Sequence, residues 1–353
     1  MQNPKQAAGK PMTRISAGLL FSLLILSGVM SSSSEANAQS APDPSGFLLT
    51  ANKGSHTLSI INAQAGTQIL EVPEGGVTGH EVAALPDGSL AFVPIYGNSG
   101  VGKPGTDGKT IAVIDLRTRK VTSNIDFDHG VRPHCPVVGP KDGLLYVTTE
   151  LDKTITIIDP KTLKIVGTVP TDQPESHMLA ISRDGRRGYT ANVGPGTVSV
   201  LDLEARKVIT LIPISKETQR ISVSPDGSMV FTADQTKPRL AVIDTASNKI
   251  KSWIELPALG FGTTATHDGR WLLATMPSLN KIAVVNLSTL KVEHTVDVPS
   301  APQEILVRPD NKIAYVSCDS SHQVAAINIA DWKVEKLIDS GKTTDGLAWA
   351  PAE

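Results

Sequence analysis

Only two of the 353 residues are cysteine, Cys135 and Cys318. A chain this long can bury enough apolar surface without covalent staples, so no disulfide framework is required. No Cys-x-x-Cys-His occurs, which excludes covalent c-type haem. Aromatic residues make up just 4% of the chain, too few for a broad stacking platform that would hold sugars or bases. Neither sign of charge dominates: the formal net charge is -2, and the 33 basic residues are scattered rather than gathered into the stripe that neutralises phosphates. Nucleic acid is therefore not an expected partner. No Gly-x-Ser-x-Gly elbow, phosphate loop or dinucleotide fingerprint is present.

The one long apolar run lies near the start. Lys10 and Arg14 precede Ala17 to Met30, and Ala36-Asn37-Ala38 then gives a small-x-small cleavage pattern. This reads as a signal peptide over 1–38, followed by a short linker over 39–45 and a single domain over 46–353. The run is short and interrupted by Ser and Gly, so no membrane span is expected once it is removed. The expected location is the periplasm or the medium.

What is abundant is repetition. From His177 the chain runs through Arg183-Asp184-Gly185, Arg187 to Asn192, Thr197 to Asp202 and Lys207 to Ile212: four short alternating stretches separated by turn residues. The Asp-Gly turn recurs at Asp87-Gly88, Asp142-Gly143, Asp226-Gly227 and Asp268-Gly269, with Asp310-Asn311 in the same place. Each third stretch ends in Asp or Asn, at Asn62, Asp115, Asp159, Asp202, Asp244, Asn286 and Asn328. The residues from Gly46 to Pro73 supply only three strands of a unit, and Thr344 to Pro351 supply the missing one. The pattern therefore predicts an all-β, seven-bladed β-propeller with four antiparallel strands per blade, closed by the C-terminal strand joining the N-terminal blade. Closure leaves no sheet edge open. A tandem of smaller domains would need a linker, and none follows Pro44. A Gly-rich insertion, Tyr96 to Lys109, interrupts the second unit and is expected to be mobile, as a lid or a tolerated surface loop.

Tyr146-Val147-Thr148-Thr149, Tyr189-Thr190-Ala191-Asn192 and Tyr315-Val316-Ser317-Cys318 resemble the motif of the YVTN-type β-propeller family. The resemblance covers the chain beyond the signal segment. It implies an exported seven-bladed ring and leaves the activity open, since relatives include surface-layer and binding proteins, lactonase-like enzymes and the propeller domain of nitrous oxide reductase.

In such a ring the first strand of each blade lines the central channel. Its start forms a column: Asp345, His80, His134, His177, Gln219, Phe261 and Gln303. Three of the eight histidines thus fall on neighbouring blades at one mouth. Three neutral imidazoles with an open position suit a divalent metal such as Zn or Cu. Without metal they suit acid/base work, and a polar ring that merely hydrates the channel is the plainest alternative. Ends of the second strands give another column, Asn52, Ile95, Thr149, Asn192, Asp234, Met276 and Cys318, with Glu150 next to Thr149. These oxygens suit Ca²⁺ or a polar ligand, or simply end strands. Beside the first column stand Glu81, Cys135, Arg220 and Glu304, and Arg220 is an anion contact or a structural pair.

Two functions follow. In the first, His80, His134 and His177 hold a metal or share acid/base work in a hydrolase or lyase, lactonase-like by resemblance. Gln219, Arg220, Gln303, Asp345, Asn192 and Glu150 would then bind a small polar substrate. The alternative is a non-catalytic propeller that binds a ligand, a metal ion or another exported protein. A copper-carrying redox partner is a third.

Overall fold

The computed structural model describes residues 45–352. The expected signal peptide and all of the linker but Ser45 lie outside the described residues.

Twenty-eight strands form seven four-stranded antiparallel sheets. We number the blades 1 to 7 and letter the strands A to D from the channel outward. The seven A strands, from blade 2 round to blade 1, are Ala83–Ala84, Pro133–Val138, Ser176–Ile181, Thr218–Val223, Thr263–Ala265, Pro302–Val307 and Thr344–Pro351. Blade 1 is composite. Strand A is the last of the chain and pairs antiparallel with Gly46–Asn52, from Gly46 opposite Pro351 to Asn52 opposite Thr344. Chain-end pairing closes the ring as the repeat count requires. Two single-turn 3-10 helices, Pro277–Leu279 and Asp319–Ser321, are the only helical turns among the described residues.

Local chemistry explains the blades. In all six A–B turns the aspartate accepts a backbone N–H two residues on: Ser89 to Asp87, Leu144 to Asp142, Arg186 to Asp184, Ser228 to Asp226, Arg270 to Asp268 and Lys312 to Asp310. Every Asp or Asn that ends a C strand likewise caps the C–D turn, as Ala65 N–H to Asn62 and Ala205 N–H to Asp202 show. Strands B and C are almost wholly buried, and their aliphatic side chains form clusters shared by adjacent blades; one joins Ile155, Ile157, Leu179, Val200, Ile221 and Val230. The D strands alternate between exposed and half-buried, as outer edges in water do. No helix among the described residues is long and apolar enough to cross a membrane.

Candidate functional site

The geometry of the mouth comes from a bulge. The A–B register slips near the start of the A strand in five blades: between Pro133 and Pro136, Ser176 and Met178, Gln219 and Ile221, Pro302 and Ile305, and opposite Thr50 and Asn52 in blade 1. A bulge frees a backbone amide and re-aims side chains. Strand B hydroxyls collect freed amides in two of these blades: Cys135 N–H donates to Thr148 and Glu304 N–H to Ser317. A second layer of the channel can then form one residue further on, including Glu81, Cys135, Met178, Arg220 and Glu304.

The three histidines do converge. His134 Nε2 lies 3.3 Å from His80 Nδ1, and the His134 ring lies against that of His177, tilted by 30° with centroids 3.5 Å apart. His134 and His177 are buried, while His80 is half-exposed. His177 Nδ1 is hydrogen-bonded to Glu150 Oε1, and the Tyr96 hydroxyl donates to Glu150 Oε2 at 2.8 Å. Tyr96, Glu150 and His177 thus form one buried chain drawn from blades 2, 3 and 4. Burial holds the His80 imidazole down at about 3. It also holds His134 well below the ordinary histidine range, with His177 and His80 adding to the effect. Both rings are therefore neutral at pH 7. Burial, reinforced by the Glu150 carboxylate, pushes the Tyr96 hydroxyl up, so it stays protonated as the donor to Glu150.

Below the histidines a charged lattice crosses the channel. Arg220 sits at the bulge with φ +53°, and its guanidinium reaches Glu81 at 2.5 Å, Asp345 at 2.8 Å and Glu304 at 3.7 Å. The four residues come from blades 5, 2, 1 and 7. Lys53 bridges Asp345 at 3.0 Å and Asp319 at 3.3 Å. Burial opposes ionisation of Asp345, yet Lys53 and Arg220 hold its carboxyl at about 2. Burial pushes Glu81 and Glu304 up, against the opposing pull of Arg220.

The remaining expected residues are placed as follows. Gln219 is half-buried and its Oε1 has no partner; the bulge gives the central position to Arg220 instead. Gln303 Nε2 donates to the Ala301 carbonyl at the rim. Asn192 is saturated inside its own blade, accepting from Ser176 and Thr190 and donating to Thr197 and Ser199. Asn52 donates to Thr57 and Ser59, and Asp234 takes Thr236 and Arg239. Apart from Asn52 Oδ1, which is buried without a partner, the polar atoms named here in the second column are bonded within their own blades. Both cysteines are free and buried, and burial pushes their thiols up, Cys318 to about 12. The insertion is tied down: Arg132 bonds Asp107 at 2.6 Å, the Gly100 carbonyl at 3.4 Å and the Lys103 carbonyl at 2.8 Å. One guanidinium thus touches the insertion at three points.

Sequence reasoning did not mark Tyr96 and Lys53 as site residues. A register slip between Ile95 and Gly97 turns Tyr96 inward, and no spacing rule reveals such a slip. Lys53 was within reach, since it follows Asn52 at a strand B end. Glu74 was also missed. Its carboxylate accepts Gly79 N–H at 3.0 Å, its Oε1 is buried without a partner, and burial raises its pKa to about 7. A raised carboxyl binds a proton in the folded chain that the unfolded chain has lost, so stability falls as pH rises from 4.5 towards 7. Glu74→Gln removes that fall. In urea titrations the variant is expected to gain about 3 kcal/mol relative to the parent between pH 4.5 and pH 8. Parallel curves across that window would refute the assignment.

Among the described residues no group of three or more His, Cys, Asp or Glu side chains is placed to hold a metal ion. His80 and His134 turn nitrogens toward each other, but His177 offers His134 a ring face and spends Nδ1 on Glu150. As placed, the three side chains do not turn three imidazole nitrogens toward one point.

No family model matches the chain. Over 139 residues it is 29% identical to a seven-bladed β-propeller protein of Mycobacterium tuberculosis, a match covering 39% of this chain and 32% of that protein. The chain thus spans about a third of the length of that relative. Hydrazine synthase of Kuenenia stuttgartiensis is similar in structure, with a TM-score of 0.71 and 18% identity over 82% of this chain and 94% of that one. At that identity the likeness is one of fold. The protein is a seven-bladed β-propeller.

Proposed function

We propose that this protein is an exported propeller of the YVTN type that carries out metal-independent acid/base chemistry on a small polar molecule at the histidine mouth. The class of reaction is hydrolysis or elimination, with lactone-like esters as the substrates that the family resemblance favours. One observation carries the reading: the buried Tyr96–Glu150–His177 chain. An ionised carboxylate can only accept, so Glu150 keeps the proton on His177 Nδ1 and leaves Nε2 as the base. Tyr96 fixes the second carboxylate oxygen and thereby the orientation of Glu150. His134, neutral and packed against the His177 ring, helps to fix the orientation of that base. At the rim His80 offers a second neutral imidazole, while Lys53, partly exposed and paired with Asp345, gives a polar substrate a cation to align against.

The test is turnover of a panel of five- and six-membered lactones by protein lacking 1–38, before and after treatment with EDTA. Ring opening that survives the chelator is expected. Turnover lost on chelation and restored by Zn²⁺ or Ca²⁺ would overturn the metal-independent mechanism. Saturable lactone binding with no turnover would instead make the mouth a binding site.

A further inference from the structure

The channel has a second end, which the proposed chemistry does not use. Strand A of blade 5 continues from Arg220 to Val223, about 10 Å further along the axis. There the last residues of four A strands, including Val137, Val138, Ile181, Val223 and Ala265, surround a cavity of about 620 Å³. The two valines of blade 3, Ile181 and Val223 are only half-buried, so the channel leaves apolar side chains partly open to water at this end. Beside it, between the A–B turns of blades 4 and 5, lies a cavity of about 440 Å³ lined by Lys141, Arg183 and Arg187. Arg183 and Pro225 belong to both walls, so the two spaces are adjacent.

The cations are not consumed by the fold. Arg187 Nη1 is buried and has no hydrogen-bond partner. None of the three cations takes part in an ion pair among the described residues. The carboxylates in the same wall are committed elsewhere: Asp184 accepts from Ser182 and Arg186, and Asp226 from Ser224 and Ser228. A buried guanidinium nitrogen without an acceptor is costly and is relieved by an anion. An alkyl chain covering the neighbouring valines is stabilised in proportion to the apolar area removed from water.

We infer that this end of the channel binds a small amphipathic anion. The anionic head sits against Arg187, Arg183 and Lys141, and the alkyl body covers Val137, Val138, Ile181 and Val223. The arrangement suits a medium-chain carboxylate, and an alkyl phosphate shares its chemistry. The site stands apart from the histidine mouth because Arg220 and its carboxylates fill the channel between them.

Isothermal titration with octanoate is the test, beside acetate, octan-1-ol and octyl phosphate. Octanoate is expected to bind saturably, and octyl phosphate comparably or more tightly. Acetate and octan-1-ol should each bind at least about tenfold more weakly, since each keeps only half of the recognition. Arg187→Met should weaken octanoate about tenfold and leave octan-1-ol unchanged. Arg183→Ser, at an exposed turn, should weaken it in the same sense and carries the comparison if Arg187→Met fails to fold. His177→Ala should bind octanoate like the parent. The inference falls if the folded parent shows no saturable octanoate binding, or if octan-1-ol binds equally well. It falls equally if both arginine variants bind like the parent, or if His177→Ala abolishes binding.

Discussion

Arg220→Met is expected to destabilise the propeller by about 3–5 kcal/mol, the range found when one partner of a buried ion pair is removed. Methionine fills much of the volume, so the loss is electrostatic. It leaves Glu81, Asp345 and Glu304 facing one another in a channel where Arg220 had reached all three. The pH dependence identifies the cause. In the parent, Asp345 is held at about 2 against burial by Lys53 and Arg220. A depressed carboxyl contributes stability that is present above its unfolded pKa and is lost as pH falls through the folded value. Without Arg220, burial and the neighbouring carboxylates push Asp345 up and push Glu81 and Glu304 further up. Their protonation then favours folding, so the gap between variant and parent should be widest near pH 7 and should narrow as pH falls through the carboxylate range. Urea unfolding at pH 7 and pH 4.5, with unchanged slopes, measures both effects. A loss below about 1 kcal/mol at pH 7 would mean that the lattice is as weak as a surface ion pair. A second variant, Arg220→Met with Glu81→Gln, should recover part of the loss, because one of the stranded charges is then gone.

His177→Ala is expected to lower turnover by a factor on the order of 10²–10⁴, the contribution of a positioned general base. Glu150→Gln should fall within the same range. An amide oriented to donate to Nδ1 would favour the tautomer with the proton on Nε2, where the base is needed. Tyr96→Phe keeps the ring packing and removes only the hydrogen bond to Glu150, so the expected loss is about tenfold. The order His177 ≥ Glu150 > Tyr96 follows from distance to the reacting proton, and it distinguishes a working chain from a structural one. Purely structural roles would lower melting temperature in step with activity and leave the pH profile of kcat/KM where it was. Full activity in Glu150→Gln would remove the dyad from the mechanism.

Much of the molecule was legible beforehand. Asp-Gly turns and strand-ending Asp or Asn act within a few residues of themselves, so their spacing announces the blades. The histidine column was legible too, because His80, His134 and His177 occupy equivalent places in neighbouring repeats. Of the residues that complete the site, Glu150 and Arg220 were candidates on the sequence; Tyr96 was not, nor was the choice of Arg220 over Gln219 for the channel legible there. Tyr96 and Arg220 each lie beside a register slip, and a strand has a side-chain period of two, so one extra residue exchanges the inward and outward faces. Gln219 held the column position in the sequence, and Arg220 holds the channel in the structure. Asn192 shows the reverse: a polar residue at a mouth-facing strand end turns out to serve the hydroxyls of its own blade.

The sequence by itself determined the seven blades, their four strands and the closure of the ring between Gly46–Asn52 and Thr344–Pro351, because these depend on local turns, alternation and counting. Only the tertiary structure decided which of two successive residues enters the channel at each blade, and which partner it meets there. Glu81 and Arg220 stand far apart in sequence on blades 2 and 5. Their contact exists because the ring closes around a space that one guanidinium can span.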